Sequence, residues 1–240
     1  MPFCRSEILG MAFLFFVAAS SIASPAQSVG STVEAQVVVN HVHGKPSHLN
    51  NEDVVVWLTP IGSEVMPLQA HVRRYQMVQK DKQFHPHVLA VAVGAPVEFP
   101  NNDPWFHNVF SMYKGEKFDL GLYEAGATRT VHFVRPGVSF IFCNIHPEMS
   151  AYILVLETPY FAVSNTRGQI RIANVPAGRY RIEVWFERAE SAEMAKLSRE
   201  VTVSDPTTSL GKIEVQESPL AIPPHTDKHG HSYQADRTPY

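Results

Sequence analysis

Val138-Ser139-Phe140-Ile141-Phe142-Cys143-Asn144-Ile145-His146-Pro147-Glu148-Met149-Ser150-Ala151-Tyr152-Ile153-Leu154-Val155-Leu156 is the most informative stretch of the chain. Val138–Phe142 is a β-rich run that ends at the cysteine, and Tyr152–Leu156 is a second such run. A thiol, an imidazole and a thioether therefore share one tight turn between two strands. Further β-rich runs lie on both sides: Val33–Val39, Val54–Leu58, Val88–Val93, Val97–Phe99, Val109-Phe110, Thr128–Val134, Gln169–Ile172, Tyr180–Phe186, Val201–Val203 and Lys212–Val215. Gly and Pro punctuate them, as in Gly94-Ala95-Pro96 and Pro176-Ala177-Gly178. Only Ala189–Leu197 lines up good helix formers. The expected fold class is all-β, built of β-sandwiches.

Composition agrees. Of 240 residues, 45% are hydrophobic and 18% charged, which excludes a disordered polyelectrolyte. Lys+Arg 20 against Asp+Glu 23 gives a formal charge of −3, so no positive excess awaits a nucleic acid or an anionic membrane. Pro 18 exceeds Gly 13, which suits turns rather than long helices.

Residues 1–23 read as a secretory signal: Arg5, an apolar run Ile8–Ala19, and small residues in Ser21-Ile22-Ala23. The alternative is an uncleaved anchor, for which the run is short. The expected location is the periplasm or another exported compartment. Processing leaves one cysteine, Cys143. A single thiol in an oxidising compartment is either buried and inert or held by a metal.

Its neighbours point to a metal. A thiolate, two imidazoles and a long thioether contact form the ligand set of a type 1 copper site. Cys143, His146 and Met149 supply three of the four. The missing imidazole must come from a distant strand, and His107 is the candidate. It stands where the turn-rich Pro100-Asn101-Asn102-Asp103-Pro104-Trp105-Phe106 meets the short apolar run Val109-Phe110. Asn108 beside it can hydrogen-bond across the site and tune the thiolate. The alternatives are a buried inert cysteine, a structural zinc site, and Glu148 in place of Met149. His41 and His43, with His48, and also His85 and His87, read as surface residues. No phosphate-cradling loop, nucleophile elbow or paired-carboxylate motif occurs, so the chain is not expected to be an enzyme.

Phe84-His85-Pro86, Val97-Glu98-Phe99, Asn102-Asp103, His107-Asn108-Val109 and Cys143-x-x-His146-x-x-Met149 together resemble the cupredoxins, with the amicyanin-like short gap before Met149. Where that family often has Gly after the methionine loop, this chain has Ser150-Ala151. The resemblance implies a Greek-key sandwich over 75–158 and one type 1 copper ion on His107, Cys143, His146 and Met149. It also implies single-electron transfer to a soluble or membrane-bound redox partner docking near His146, where Pro147, Met112, Trp105 and Phe106 offer an apolar patch. Copper binding or handling without redox turnover is the second reading, and a non-metal interaction module the third. No membrane span is expected in the mature chain.

Phe161–Trp185, with its Val175-Pro176-Ala177-Gly178-Arg179-Tyr180 turn, resembles the carboxypeptidase regulatory-like, transthyretin-like sandwich. Val33–Asn40, Gly44-Lys45-Pro46 and Val54–Leu58 fit the first half of such a module. The expected organisation is a discontinuous sandwich, 29–60 plus 159–216, with the 75–158 unit inserted and an extended polar tail at 217–240. The alternative is that Val29–Leu58 adds strands to the central unit.

Overall fold

The computed structural model describes residues 30–40, 51–62, 74–112, 115–218 and 226–231. The signal at 1–23, the Gly44-Lys45-Pro46 turn, and His41, His43 and His48 lie outside these residues.

Before the site come β1 (Ser31–Asn40), β2 (Val55–Pro60), β3 (Tyr75–Gln76), β4 (Val78–Lys80), β5 (Gln83–His85), β6 (Val88–Ala92) and β7 (Ala95–Pro100). The middle holds β8 (His107–Ser111), β9 (Phe118–Tyr123), β10 (Thr128–Phe133), β11 (Gly137–Cys143) and β12 (Ser150–Leu156). Then follow β13 (Phe161–Val163), β14 (Gln169–Val175), β15 (Gly178–Trp185), helix α1 (Ser191–Lys196), β16 (Arg199–Val203) and β17 (Thr207–Gln216). The architecture is all-β and mostly antiparallel, with one short helix where the helix formers cluster.

Four sheets share three apolar cores, and β4 and β5 form a separate hairpin. The outermost sheet has the order β14-β1-β17, the next β13-β2-β15-β16, then β6-β12-β11-β8-β9, and last β10-β7-β3. β1 pairs with strands from the other end of the chain: antiparallel with β14 and parallel with β17. Val33, Val37 and Val39 of β1 meet Val56 and Leu58 of β2, Tyr180, Ile182 and Val184 of β15, and Ile213 and Val215 of β17 in one core. A second core lies between the five-stranded sheet and β10-β7-β3.

The third core explains why Tyr152–Leu156 is apolar without interruption. A strand alternates faces residue by residue, so an unbroken apolar run is buried on both. Ala151, Ile153 and Val155 of β12 enter the second core. Tyr152, Leu154 and Leu156 turn the other way, against Val55, Trp57, Phe161 and Trp185 of the flanking sheet.

A polar latch closes this junction. His87 is half-buried rather than a surface residue. Its Nδ1 faces the Ser150 carbonyl at 3.1 Å and its Nε2 a Glu187 carboxylate oxygen at 2.8 Å. Both ring nitrogens thus face acceptors, which only the doubly protonated ring satisfies. Burial opposes that charge, yet the bond and charge of Glu187 raise the His87 pKa above its ordinary value.

Two strand readings change. Phe118–Tyr123 is a strand that hydrophobic patterning misses, because Asp119 and Gly121 interrupt it. The last strand starts at Thr207 rather than Lys212, its outward residues being polar and Gly211 (φ 72°) sitting where the pairing with β1 slips register.

Candidate metal centre

β8 and β11 are antiparallel neighbours, with Cys143 opposite Val109. This register sets His107, just before Val109 on the same strand, near the end of β11. The turn after β11 is closed by two backbone bonds: Cys143 N–H to Met149 O at 3.2 Å and Met149 N–H to His146 O at 3.0 Å. Pro147 and Glu148 are exposed to solvent while Cys143 and Met149 are fully buried.

The turn and the strand bring three donors together. Cys143 Sγ lies 3.6 Å from His146 Nδ1 and 3.8 Å from His107 Nδ1. All three ligand atoms are within 4.8 Å of one another. The two rings meet edge-on, centroids 4.9 Å apart. This is the arrangement of a mononuclear His-Cys-His centre of the type 1 copper kind. Met149, buried in the same core as Cys143, stands at the far end of the turn.

Asp103 is the residue sequence reasoning passed over. Its Oδ2 accepts from His107 Nε2 at 2.8 Å, so the proton is held on Nε2 and the Nδ1 lone pair faces Cys143 and His146. The same carboxylate accepts the backbone N–H groups of Asp81 at 2.7 Å and Lys82 at 2.9 Å. These two residues form the β4–β5 turn with φ of 54° and 55°, a left-handed conformation that costs a side chain such as lysine about 1 kcal/mol or more. Burial alone would raise the Asp103 pKa, but these bonds hold it below the ordinary value. Asn101 anchors the loop from beneath, accepting from the Asp103 N–H and donating to the Trp105 carbonyl. The available signal was the four-residue spacing of an acid before a histidine in a turn-rich loop.

Burial pushes the Cys143 thiol up, opposed by the backbone N–H groups of Asn108, Ile145 and His146 directed at the sulfur. Those donors favour thiolate, and a metal cation would complete the compensation. Burial above all, with the Lys82 ammonium adding to it, lowers the His146 pKa, which favours the neutral ligating ring. Asn108 contributes through its backbone N–H, while its side chain donates to Asp119 Oδ1 at 2.6 Å.

The tail reading meets a difference here. Residues 226–231 form a turn seated on the site, with Lys228 N–H donating to Asn144 Oδ1 at 3.0 Å. Among the described residues no helix is long and apolar enough to cross a membrane.

No protein-family model matches the chain, and no curated protein matches it. Among solved structures it is similar to a purple cupredoxin from Nitrosopumilus maritimus: 22% identity, TM-score 0.32, over 34% of this chain and 99% of that one. A point mutant of amicyanin in its reduced Cu(I) form is similar at 19% identity and TM-score 0.33, over 35% of this chain and 82% of that one. A copper-containing nitrite reductase from Thermus scotoductus SA-01 gives 23% identity and TM-score 0.34, over 50% of this chain but 28% of that one.

Proposed function

We propose that this chain is an exported electron carrier with one type 1 copper ion held by His107, Cys143, His146 and Met149. One observation carries the reading: two imidazole nitrogens and one cysteine sulfur converge within 4.8 Å. The donor set fits copper rather than zinc, because soft sulfur suits Cu(I), imidazole suits both oxidation states, and structural zinc sites do not use thioether. A bound copper ion supplies the Cu(I)/Cu(II) couple.

The chain's own residues do the rest. Asp103 holds the His107 ring in one tautomer and one orientation. The Asn108, Ile145 and His146 N–H groups hold the sulfur in place. His107, Cys143 and Met149 are fully buried, and His146 alone of the four is half-exposed. Electrons therefore enter and leave at His146. Trp105 at 43% and Phe106 at 56% exposure are large apolar side chains left in solvent, suited to a small transient interface with a redox partner.

The apolar core shared by 33–58 and 160–215 supports a discontinuous, transthyretin-like flanking sandwich. The 75–158 unit, with its own core, is then a cupredoxin-type insertion. The character of residues 1–23 supports export.

The test is electron self-exchange in mixed Cu(I)/Cu(II) samples, read by NMR line broadening, beside copper transfer to a chelator. Fast exchange with slow copper loss is expected. Slow exchange with ready transfer would instead make this a copper-handling protein.

A further inference from the structure

Lys228 of the C-terminal turn reaches the surroundings of the site through both its backbone and its side chain. Its backbone N–H donates to Asn144 Oδ1 at 3.0 Å, and Asn144 directly follows Cys143. Its ammonium pairs with Asp119 Oδ2 at 2.8 Å. The other oxygen of Asp119 accepts from the Asn108 side chain at 2.6 Å and from the Gly121 N–H at 3.0 Å. The Asn108 backbone N–H in turn is directed at the Cys143 sulfur. A connected path therefore runs from Lys228 through Asp119 and Asn108 to the thiolate, and a second runs through Asn144 to the ligand turn.

The segment is itself shaped for this. Asp227 Oδ1 accepts the N–H groups of His229 at 2.9 Å and His231 at 2.8 Å, and Asp227 N–H donates to the His231 carbonyl at 2.8 Å. These bonds close a compact turn at 227–231. The Lys228 and Asp119 side chains keep 25% and 28% of their surface, so solvent screens the pair only in part.

We infer that residues 226–231 are a strap over the metal centre and that Lys228 is a positioning residue for the Cys143 thiolate. Two effects follow. The strap restrains the Cys143–Met149 turn from opening. The ammonium also balances Asp119, whose uncompensated negative charge would strengthen electron donation from the sulfur side and favour Cu(II). The potential of such a site responds to hydrogen bonding around the cysteine sulfur. The second effect rests on the copper reading, whereas the first is a property of the metal-free chain.

The experiment uses full-length protein with Lys228→Met and Lys228→Arg variants. In metal-free samples, alkylation of Cys143 is followed on its own peptide by mass spectrometry. The thiol is fully buried, so its rate reports opening of the turn. Lys228→Met is expected to raise it about two- to fivefold, the worth of a partly exposed ion pair. Lys228→Arg is expected to stay near the parent. In copper-loaded samples Lys228→Met is expected to keep the colour but lower the reduction potential, with Arg restoring it. Equal alkylation rates and potentials in parent and Lys228→Met would overturn the inference, as would an Arg variant as reactive as Met. A parent that takes up no copper yet shows the alkylation difference would leave the strap standing and remove the copper reading.

Discussion

The flanking core, from Val33 to Val215, contains apolar side chains, and among the described residues the buried polar ones from its segments are the small hydroxyls Ser31 and Ser164. The central unit buries Gln79, Asn101, Asp103, His107 and Asn108. Both regions are β-sheet pairs around a packed core, so fold alone does not account for the difference. A buried polar group costs about 1–3 kcal/mol when unsatisfied, so each of these larger groups requires more partners than the few small hydroxyls of the flanking region. Most are present: Gln79 bonds to the Tyr123 hydroxyl, Asn101 to two carbonyls, and Asp103 to three donors, while Gln79 Oε1 and Asn108 Oδ1 are buried without a hydrogen bond. The polar network gathers at one end of the central core, where Cys143 and Met149 also lie. Packing holds the flanking region together, whereas hydrogen bonding in the central region serves a small set of ligand atoms.

The largest effects should separate the two regions cleanly. Cys143→Ser is expected to abolish the intense visible absorption of the copper-loaded protein, since a hydroxyl is a hard, weakly covalent donor. Ile182→Ala, deep in the flanking core, is expected to cost about 2–5 kcal/mol of stability in denaturant titration while leaving the spectrum unchanged. A serine variant that stays equally blue, or an alanine variant that loses its colour while folded, would break the distinction.

Asp103→Asn sharpens the comparison within the central region. The amide keeps the shape but loses the charge that fixes the His107 ring, and copper affinity is expected to fall about 10–100-fold, as measured by competition with a chelator. Unchanged affinity would reduce Asp103 to a brace for the Asp81-Lys82 turn.

This residue also shows where sequence reading ends. The Cys143-x-x-His146-x-x-Met149 spacing was legible because one turn carries all three side chains. His107 was legible because a turn-rich loop met an apolar strand there. Asp103 stands in the same loop, but its part depends on accepting from His107 on one side and from a distant upstream turn on the other. Lys228 was still further from view, since its bond to Asn144 spans 84 residues and a polar tail gives no periodic signal. The buried face of β15 could be read from its alternating pattern; that β12 buries its second face against the flanking sheet could not.

Met149→Leu is expected to have a smaller effect: copper and colour persist while the reduction potential rises, since a weak donor to Cu(II) is lost. Loss of copper in that variant would contradict the axial role.

The smallest effect concerns the junction between the regions. His87 has a folded pKa raised above 6.5, and burial, only partly offset by His87, raises Asp53 to about 6 from 3.8. The folded state therefore binds more protons than the unfolded one at both groups. The His87 contribution is fully present below the unfolded value of 6.5 and is lost as pH rises through the folded value. His87→Gln should lower the melting temperature at about pH 5 by more than at about pH 9. An equal loss at both pH values would show that the latch acts through packing rather than charge.

The account rests above all on a thiolate and two imidazoles holding one copper ion. Visible absorption and paramagnetic resonance of the copper-loaded full-length protein test this most directly. An intense thiolate-to-copper charge-transfer band with a narrow parallel hyperfine splitting is the predicted result. A pale protein with the wide splitting of an ordinary nitrogen- and oxygen-ligated Cu(II) would contradict it.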